Sequence, residues 1–111
     1  MKLREDTVGS ITVLEVDGRI DSSTAPALGE RLSAYLTAPG PRLVIDFARV
    51  DFITSAGFRV LLLAGRQAQS QDGRLVLCAL PEKVRMLFEI VEFGDVFTIY
   101  GSRKDGLAAL A

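Results

Sequence analysis

A chain of 111 residues with 49% apolar side chains can build one compact hydrophobic core, and it is too short for a second domain. Thirteen basic and fourteen acidic residues leave a net charge of −1, which argues against binding to nucleic acid or to anionic membranes. The chain has no histidine and a single cysteine, which excludes histidine-based catalysis and nearly all zinc sites. We therefore expect a single domain over residues 1–111 that binds no metal and no cofactor.

Two features of the sequence bear on where the protein works. The N-terminal segment MKLREDTV mixes both charges and lacks the apolar block of a signal peptide. The longest unbroken apolar run, residues 60–64, is far too short to span a bilayer. We expect a soluble protein of the cytoplasm without membrane insertion, in which Cys78 is a buried strand residue.

The first third of the chain predicts two strands and a helix. A strand near residues 3–8 is followed by a turn at Gly9 and by a second strand over residues 10–16. The segment DGRID then breaks the strand pattern. The hydroxyl residues of SSTAPAL lead into an amphipathic helix, which ends near residues 38–41.

The remaining sequence alternates strands with helices. RLVIDF, residues 42–47, predicts a central strand covered on both faces, and a helix that begins after Ser55 runs to Gly73. Residues 74–80 repeat the buried-strand pattern, and Pro81 opens a third amphipathic helix. A weak strand near residues 96–100 and a short helix over residues 102–110 complete the chain.

The order of these elements predicts the fold class. The order is β-β-α-β-α-β-α-β-α, and strands separated by single helices pair in parallel through right-handed crossovers. We therefore expect an α/β fold with a small mixed, mostly parallel β-sheet and helices packed on it.

Four small residues, Thr54, Ser55, Ala56 and Gly57, stand between a strand and a helix. The Ser55 hydroxyl is interpreted as the cap of a helix that begins at Ala56, where replacement by alanine would cost about 1 kcal/mol. Because a cap needs only one residue, the small neighbours also indicate a hydroxyl that another protein can approach closely. The position follows a parallel strand, where ligand and partner sites gather in α/β folds.

Residues near this segment have both structural and functional interpretations. Phe58 is expected to be partly exposed, either as a contact anchor or packed under a neighbouring loop. Arg59 is interpreted as part of a solvated helix face, or as a partner for a carboxylate or phosphate. Ser22 and Ser23 are interpreted as turn and cap residues, and Asp46 as an acceptor that anchors a loop. A further apolar set is interpreted as a core face: Met86, Phe88, Phe93 and Phe97.

Three segments, in order and with matching spacing, resemble one known family. They are VDGRIDSSTAPAL, LVIDFARVDFITSAGFRVLL and GRLVLCALPEKVRMLFEIVEFGDVFTIY. Together they resemble the STAS domain, most closely the bacterial anti-sigma factor antagonists of sporulation and stress control. The resemblance runs from about Val8 to the C-terminus.

The resemblance implies a phosphoprotein that switches partners. The unmodified protein would bind an anti-sigma factor that is also a serine kinase, which frees a sigma factor for transcription. Phosphorylation at Ser55 would end this binding, and a PP2C-type phosphatase would restore it. Asp21 matches an acidic residue that lies near the phosphorylated serine and helps contact the kinase. The surface expected to bind the partner comprises Asp21, Ser22, Thr54, Ser55, Gly57, Phe58 and Arg59.

The motif departs from the family pattern at two positions. Many members carry aspartate directly before the phosphorylated serine, where this chain has Thr54, and Ala56 replaces a second hydroxyl residue. A Ser-Ala-Gly version of the motif also occurs in the family, and Thr54 becomes the second candidate for phosphorylation.

Two alternatives to partner switching remain open from the sequence. The first is a constitutive, non-phosphorylated STAS adapter, a subunit of a signalling scaffold or of a membrane lipid-transport complex, in which Ser55 only caps a helix. The second is an enzyme with Ser55 as nucleophile. It is disfavoured because the chain has neither a G-x-S-x-G elbow around Ser55 nor a histidine to activate the hydroxyl.

Overall fold

The computed structural model describes residues 1–91 and 97–111, which form a central sheet with helices on both of its faces. The elements in chain order are β1 (Lys2–Val8), β2 (Ile11–Ile20), α1 (Ala25–Tyr35), β3 (Arg42–Ile53), α2 (Ser55–Ser70), β4 (Arg74–Cys78), α3 (Glu82–Ile90), β5 (Ile99–Tyr100) and α4 (Arg103–Leu110). The order and the α/β class confirm the prediction from the sequence.

The sheet has the strand order β1-β2-β3-β4-β5. β1 and β2 form an antiparallel hairpin, and Gly9 adopts a positive φ of 61° in its turn, as its position in the sequence predicted. All later neighbours pair in parallel, with α1, α2 and α3 as crossovers. The sheet is therefore mixed and mostly parallel.

Each face of the sheet has its own hydrophobic cluster, because neighbouring strand residues point to opposite faces. Leu14, Ile45 and Leu77 point toward α1, α2 and α3 and form the larger cluster. Val13, Val44, Val76 and Cys78 point to the other face, where they pack against Leu110 of α4. The predicted burial of Cys78 is confirmed, and burial raises the pKa of its thiol to about 12.

Two strands extend beyond their predicted ends. β2 continues through the first four residues of DGRID to Ile20, because register shifts at Glu15/Asp17 and Gly18/Arg19 accommodate the polar residues. β3 continues from Phe47 to Ile53 beside it. The predicted break at DGRID and the predicted end of the central strand are therefore wrong. The two strands end side by side, at Ile20 and Ile53, just before α2 begins.

Smaller differences occur later in the chain. α2 ends at Ser70, because the chain turns through Asp72, which has a positive φ of 58°. In the apolar set assigned to a core face, Phe88 and Phe97 are buried but Met86 is 54% exposed, so the assignment of Met86 is wrong. Phe93 and the start of the weak strand, Val96, lie outside the described residues. No helix in residues 1–91 and 97–111 is long and apolar enough to cross a bilayer.

An arginine on α4 ties this helix to the sheet. Arg103 Nε donates to Asp46 Oδ2 at 2.8 Å, and its Nη2 donates to Glu15 Oε2 at 2.9 Å. Asp46 is 5% exposed, and its other carboxylate oxygen accepts from the backbone N–H of Ala48 at 2.9 Å. Asp46 therefore accepts a backbone hydrogen bond as predicted, but within β3 and not in a loop. The ion pair provides the charge compensation that a buried carboxylate needs.

Replacing Arg103 with methionine should therefore destabilise the protein. We expect a loss of about 1–3 kcal/mol, since Asp46 would remain buried without its charged donor. The matched control is Arg49→Met, which removes a 3.2 Å ion pair between Arg49 and Glu15 at an exposed position and should cost less than about 1 kcal/mol. Urea unfolding of the two variants compares the free energies of unfolding, and equal losses would contradict the role assigned to Arg103.

Candidate partner-binding site

The carboxyl ends of β2 and β3 meet at one edge of the sheet. Ile20 pairs with Ile53 in the parallel register, and the backbone N–H of Thr54 donates to the Ile20 carbonyl at 2.9 Å. Asp21 and Ser55, each just beyond one of these strand ends, are therefore held at the same edge. The structure thus brings together the two parts of the site that lie more than thirty positions apart in the sequence.

α2 begins one residue earlier than predicted. Its first residue is Ser55, and its N-cap is Thr54, whose side chain makes no capping hydrogen bond. The Thr54 hydroxyl is half-buried and donates instead to the Ile20 carbonyl, at 3.4 Å. The interpretation of Ser55 as a helix cap is therefore wrong, because β3 runs up to Ile53 and only Thr54 links it to the helix.

Ser55 lies on the surface at the N-terminus of α2. The first hydrogen bond of the helix joins the Phe58 N–H to the Thr54 carbonyl at 3.1 Å. The backbone N–H groups of Ser55, Ala56 and Gly57 therefore have no acceptor within the helix. An exposed hydroxyl beside three such groups is accessible to another protein, and the surroundings are favourable to negative charge.

Close packing explains why one of the four small residues, Gly57, is a glycine. A Cβ atom at this position would lie 2.7 Å from both Ile20 Cγ2 and Ile53 Cγ1. Real Cβ atoms do not approach other carbon atoms so closely, so the first turn of α2 can lie on the strand ends only with glycine here. Gly57 is buried and supports the site from below.

The two residues after Gly57 differ in their exposure. Phe58 is 3% exposed, and its ring packs edge-on against Phe88 with the centroids 4.7 Å apart. The expectation of a partly exposed Phe58 is therefore wrong: α2 turns this side chain into the core between α2 and α3. Arg59 is exposed, as expected for a solvated helix face. Its position one turn after Ser55 places both side chains on the same side of α2.

Asp21 organises the loop that precedes α1. Its Oδ1 accepts from the Ser23 hydroxyl at 2.7 Å, from the Ser23 N–H at 2.9 Å and from the Thr24 N–H at 3.1 Å. In return, the Thr24 hydroxyl accepts from the Asp21 N–H at 2.9 Å. The hydrogen bond from the Ser23 hydroxyl, with the bonds from the backbone, lowers the pKa of Asp21 to about 2. Asp21 is therefore ionised at neutral pH, and Ser23 is a turn residue as expected.

The exposed surface of the site excludes the buried Gly57 and Phe58, which were predicted to belong to it, and includes Phe52, which was not. Ser22 and Ser55 are exposed beside the partly exposed Asp21 and Thr54. Phe52 was not predicted as a site residue; it pairs with Arg19 in the parallel register and is 36% exposed. The Arg19 guanidinium lies 4.9 Å from the centre of the Phe52 ring. Phe52 alternates with the buried Ile53, which indicates an exposed side chain. This indication applies only if the strand is known to continue to residue 53.

Comparison with known proteins identifies the family. The family model of the STAS domain matches residues 3–106. The chain belongs to the STAS domain family. The putative anti-sigma factor antagonist BtrV of Bordetella bronchiseptica is 38% identical to this STAS domain over 109 residues, which cover 98% of this chain and 94% of the relative. The anti-sigma-B factor antagonist of Listeria monocytogenes is 34% identical over 84 residues, 76% of this chain and 74% of the relative.

A solved structure supports the same assignment of this STAS domain. The crystal structure of an anti-sigma factor antagonist from Mycobacterium paratuberculosis superposes with a TM-score of 0.88 and 27% sequence identity. The match covers 98% of this chain and 92% of the other. The resemblance drawn from the sequence motifs, to the STAS anti-sigma factor antagonists, is therefore confirmed.

The packing at Gly57 gives a first test of this site. Gly57→Ala should destabilise the STAS domain by about 1–3 kcal/mol, because the added methyl group overlaps two isoleucine side chains. At Gly65, in the same helix, a Cβ atom would have no contact within 4 Å, so Gly65→Ala should stabilise the domain by about 0.5–1 kcal/mol. Denaturant unfolding of both variants measures the difference. Stabilisation by both alanines would contradict the close contact.

The pKa of Asp21 gives a second test. Because folding lowers this pKa from 3.8 to about 2, the ionised carboxylate stabilises the folded state above about pH 4, and this contribution is lost as the pH falls toward 2. Asp21→Asn should therefore lower the melting temperature at neutral pH, with the difference from wild type shrinking between about pH 4 and pH 2. A difference that stays constant over this range would show that the charge of Asp21 is not stabilising.

Proposed function

We propose that this STAS domain acts as an anti-sigma factor antagonist that switches partners through phosphorylation of Ser55. The observation that carries the proposal is the position of Ser55: an exposed hydroxyl on the first residue of α2, at the edge of the sheet that also holds the ionised Asp21. In its unmodified form the domain binds an anti-sigma factor and so releases a sigma factor. The names of the relatives, anti-sigma factor antagonists with up to 38% identity, support this choice of partner.

The proposed modification is a phosphoryl transfer carried out by the partner. The anti-sigma factor is also a serine kinase, and the Ser55 hydroxyl oxygen attacks the γ-phosphorus of its bound ATP. The hydroxyl proton passes to a base of the kinase, the bond between the γ-phosphorus and the oxygen that bridges it to the β-phosphate breaks, and ADP leaves. A PP2C-type phosphatase hydrolyses the phosphoserine to serine and inorganic phosphate, which restores binding.

A phosphate on Ser55 is compatible with the folded STAS domain. The N–H groups at the start of α2 and the positive end of the helix dipole favour an anion there, and the first turn of α2 contains no acidic residue. The modification adds about −1.5 to −2 charges and changes the net charge from −1 to about −3. Like charges facing one another across an interface cost several kcal/mol, so phosphorylation should release the partner without unfolding the domain.

The surroundings of the two hydroxyl groups favour Ser55 over Thr54 as the residue that accepts the phosphoryl group. Thr54 is half-buried, and its hydroxyl donates to the Ile20 carbonyl. A kinase would have to break this bond and move the link between β3 and α2. Ser55 is exposed, and no such movement is needed to reach its oxygen.

The alternative function is a constitutive STAS adapter, as in a signalling scaffold or a membrane lipid-transport complex. The observation that favours it is Thr54, which stands where many antagonists have an aspartate. An adapter would bind its partner stably and would not be phosphorylated. The same experiment separates the two functions.

We expect Ser55→Ala to bind the purified anti-sigma factor of the same organism as tightly as the wild type, and Ser55→Asp to bind at least about tenfold more weakly. The matched control is Gln69→Glu, which adds one negative charge at an exposed position near the other end of α2. Isothermal titration calorimetry measures the affinities, and thermal melting checks that the variants remain folded. Equal binding by Ser55→Asp and the wild type would count against switching.

Phosphorylation itself is tested by incubation with the kinase and ATP, followed by mass spectrometry of the intact chain and its peptides. Partner switching predicts one added phosphate at Ser55 in the wild type and none in Ser55→Ala. Stable binding of an unmodified chain would instead support the adapter.

A further inference from the structure

The outer face of α2 carries two exposed positive charges on either side of an exposed leucine. Arg59, Leu63 and Arg66 follow one another at intervals of four and three residues, so they lie on one side of the helix. Both arginines are exposed, Leu63 is 52% exposed, and the sequence of α2 contains no acidic residue. In residues 1–91 and 97–111, neither guanidinium forms an ion pair.

A groove runs beside this face, between α1 and α2. Its volume is about 290 Å³, and its lining is mostly apolar or small. It is lined by Gly29, Ser33, Val60, Leu63, Ala64 and Gln67. Gly29 and Ser33, one turn apart on α1, are small, and a Cβ atom on Gly29 would already lie 3.5 Å from Val60 Cγ1. Leu63 belongs to both surfaces, so the groove and the basic face are continuous.

We propose that this groove binds an acidic amphipathic helix of a partner protein. An apolar side chain of that helix enters the groove beside Leu63, and its carboxylates pair with Arg59 and Arg66. The two arginines are two helical turns apart, about 10 Å along the axis, so a partner helix with carboxylates about two turns apart matches them. On α1, the residue after Gly29 is an exposed glutamate, Glu30, which is not part of the groove lining. Like charges repel, so we place the acidic side of the partner helix over α2 and not over α1.

Charge complementarity favours this occupant over the others that suit an apolar groove. A membrane surface or a nucleic acid would present many negative charges to the whole domain, whose net charge is −1. A helix in a groove needs only a few apolar contacts and matched charges at its edges. This identification of the partner rests on the proposed function, in which the helix belongs to the anti-sigma factor.

The position of Arg59 connects this surface to the regulation of Ser55. A phosphate on Ser55 would lie one turn before Arg59, within reach of an ion pair between positions i and i+4. In the phosphorylated form, Arg59 would therefore pair with the phosphate of its own helix and no longer with the partner's carboxylate. Phosphorylation would weaken the groove contact as well as introduce repulsion at the edge of the sheet.

The first test is charge reversal, measured as affinity for the purified anti-sigma factor kinase of the same organism. The double variant Arg59→Glu, Arg66→Glu should bind at least about tenfold more weakly, and this loss should shrink as the salt concentration rises. The control, Arg85→Glu, changes an exposed arginine on α3 and should bind within about twofold of the wild type. Circular dichroism melting confirms that the variants are folded.

The second test replaces Leu63 with the photo-crosslinking residue p-benzoylphenylalanine, with Met86, exposed on α3, as the control position. Mass spectrometry of the crosslinked peptide should identify a helical segment of the anti-sigma factor with at least two carboxylates about two turns apart. Crosslinking from position 86 alone, or to a segment without acidic residues, would overturn the proposal.

The results distinguish a failure of the groove assignment from a failure of the proposed function. If the wild type binds and Ser55→Asp does not, but the double arginine variant binds like the wild type, partner switching stands and the groove assignment is wrong. If the wild type fails to bind the anti-sigma factor, the proposed function is wrong and this identification of the groove's occupant falls with it.

Discussion

The close contact between the first turn of α2 and the ends of β2 and β3 fixes the geometry of the candidate site. Gly57 makes this contact possible, since any larger side chain would overlap Ile20 and Ile53. The hydrogen bond from the Thr54 N–H to the Ile20 carbonyl joins the same two strand ends. Together they leave Ser55 on the surface at the beginning of a helix, with Asp21 at the same edge of the sheet. The small residues of the motif thus divide into a packing role for Gly57 and an accessible hydroxyl on Ser55.

The packing of the core beneath the site favours regulation by a change of surface charge and not by refolding. Both faces of the sheet are covered by separate hydrophobic clusters, and Arg103 ties α4 to the buried Asp46 on the face opposite α2. The buried ion pair lies on the other face of the sheet from Ser55, and Phe58 packs against Phe88 in the core. The fold therefore suits a protein whose binding is controlled by electrostatics at one edge, and whose stability is set elsewhere.

Much of this arrangement could be predicted from the sequence. Hydrophobic periodicity and the alternation of strands and helices predicted the element order, because the buried strands contain continuous apolar runs, residues 43–45 and 75–78. The strand ends were predicted less well. β2 continues to Ile20, through most of the DGRID segment, by means of shifts in register. Such shifts depend on the neighbouring strand rather than on local sequence.

The exposure and the roles of some site residues were also predicted wrongly. The exposure of Phe58 and Met86 was predicted wrongly, although the helical spacing indicates it. Phe58 lies three positions before the buried Leu61, and therefore on the buried face of its helix, whereas Met86 lies two positions before the buried Phe88, and therefore off that face. Ser55 was selected correctly as an accessible residue, but its role as a cap was wrong because Thr54 is the N-cap. The pairing of Arg19 with Phe52 required the register of two parallel strands and was not readable from either segment alone.

The most direct measurement of the central claim is a ¹H–¹⁵N NMR comparison of the unmodified domain with the domain carrying phosphoserine at position 55, with and without the anti-sigma factor. The account predicts shifts confined to residues near 20–24 and 54–59, unchanged amides in β4 and α4, and partner-induced line broadening only for the unmodified form. Shifts spread through the core strands, or equal broadening of both forms by the partner, would contradict it.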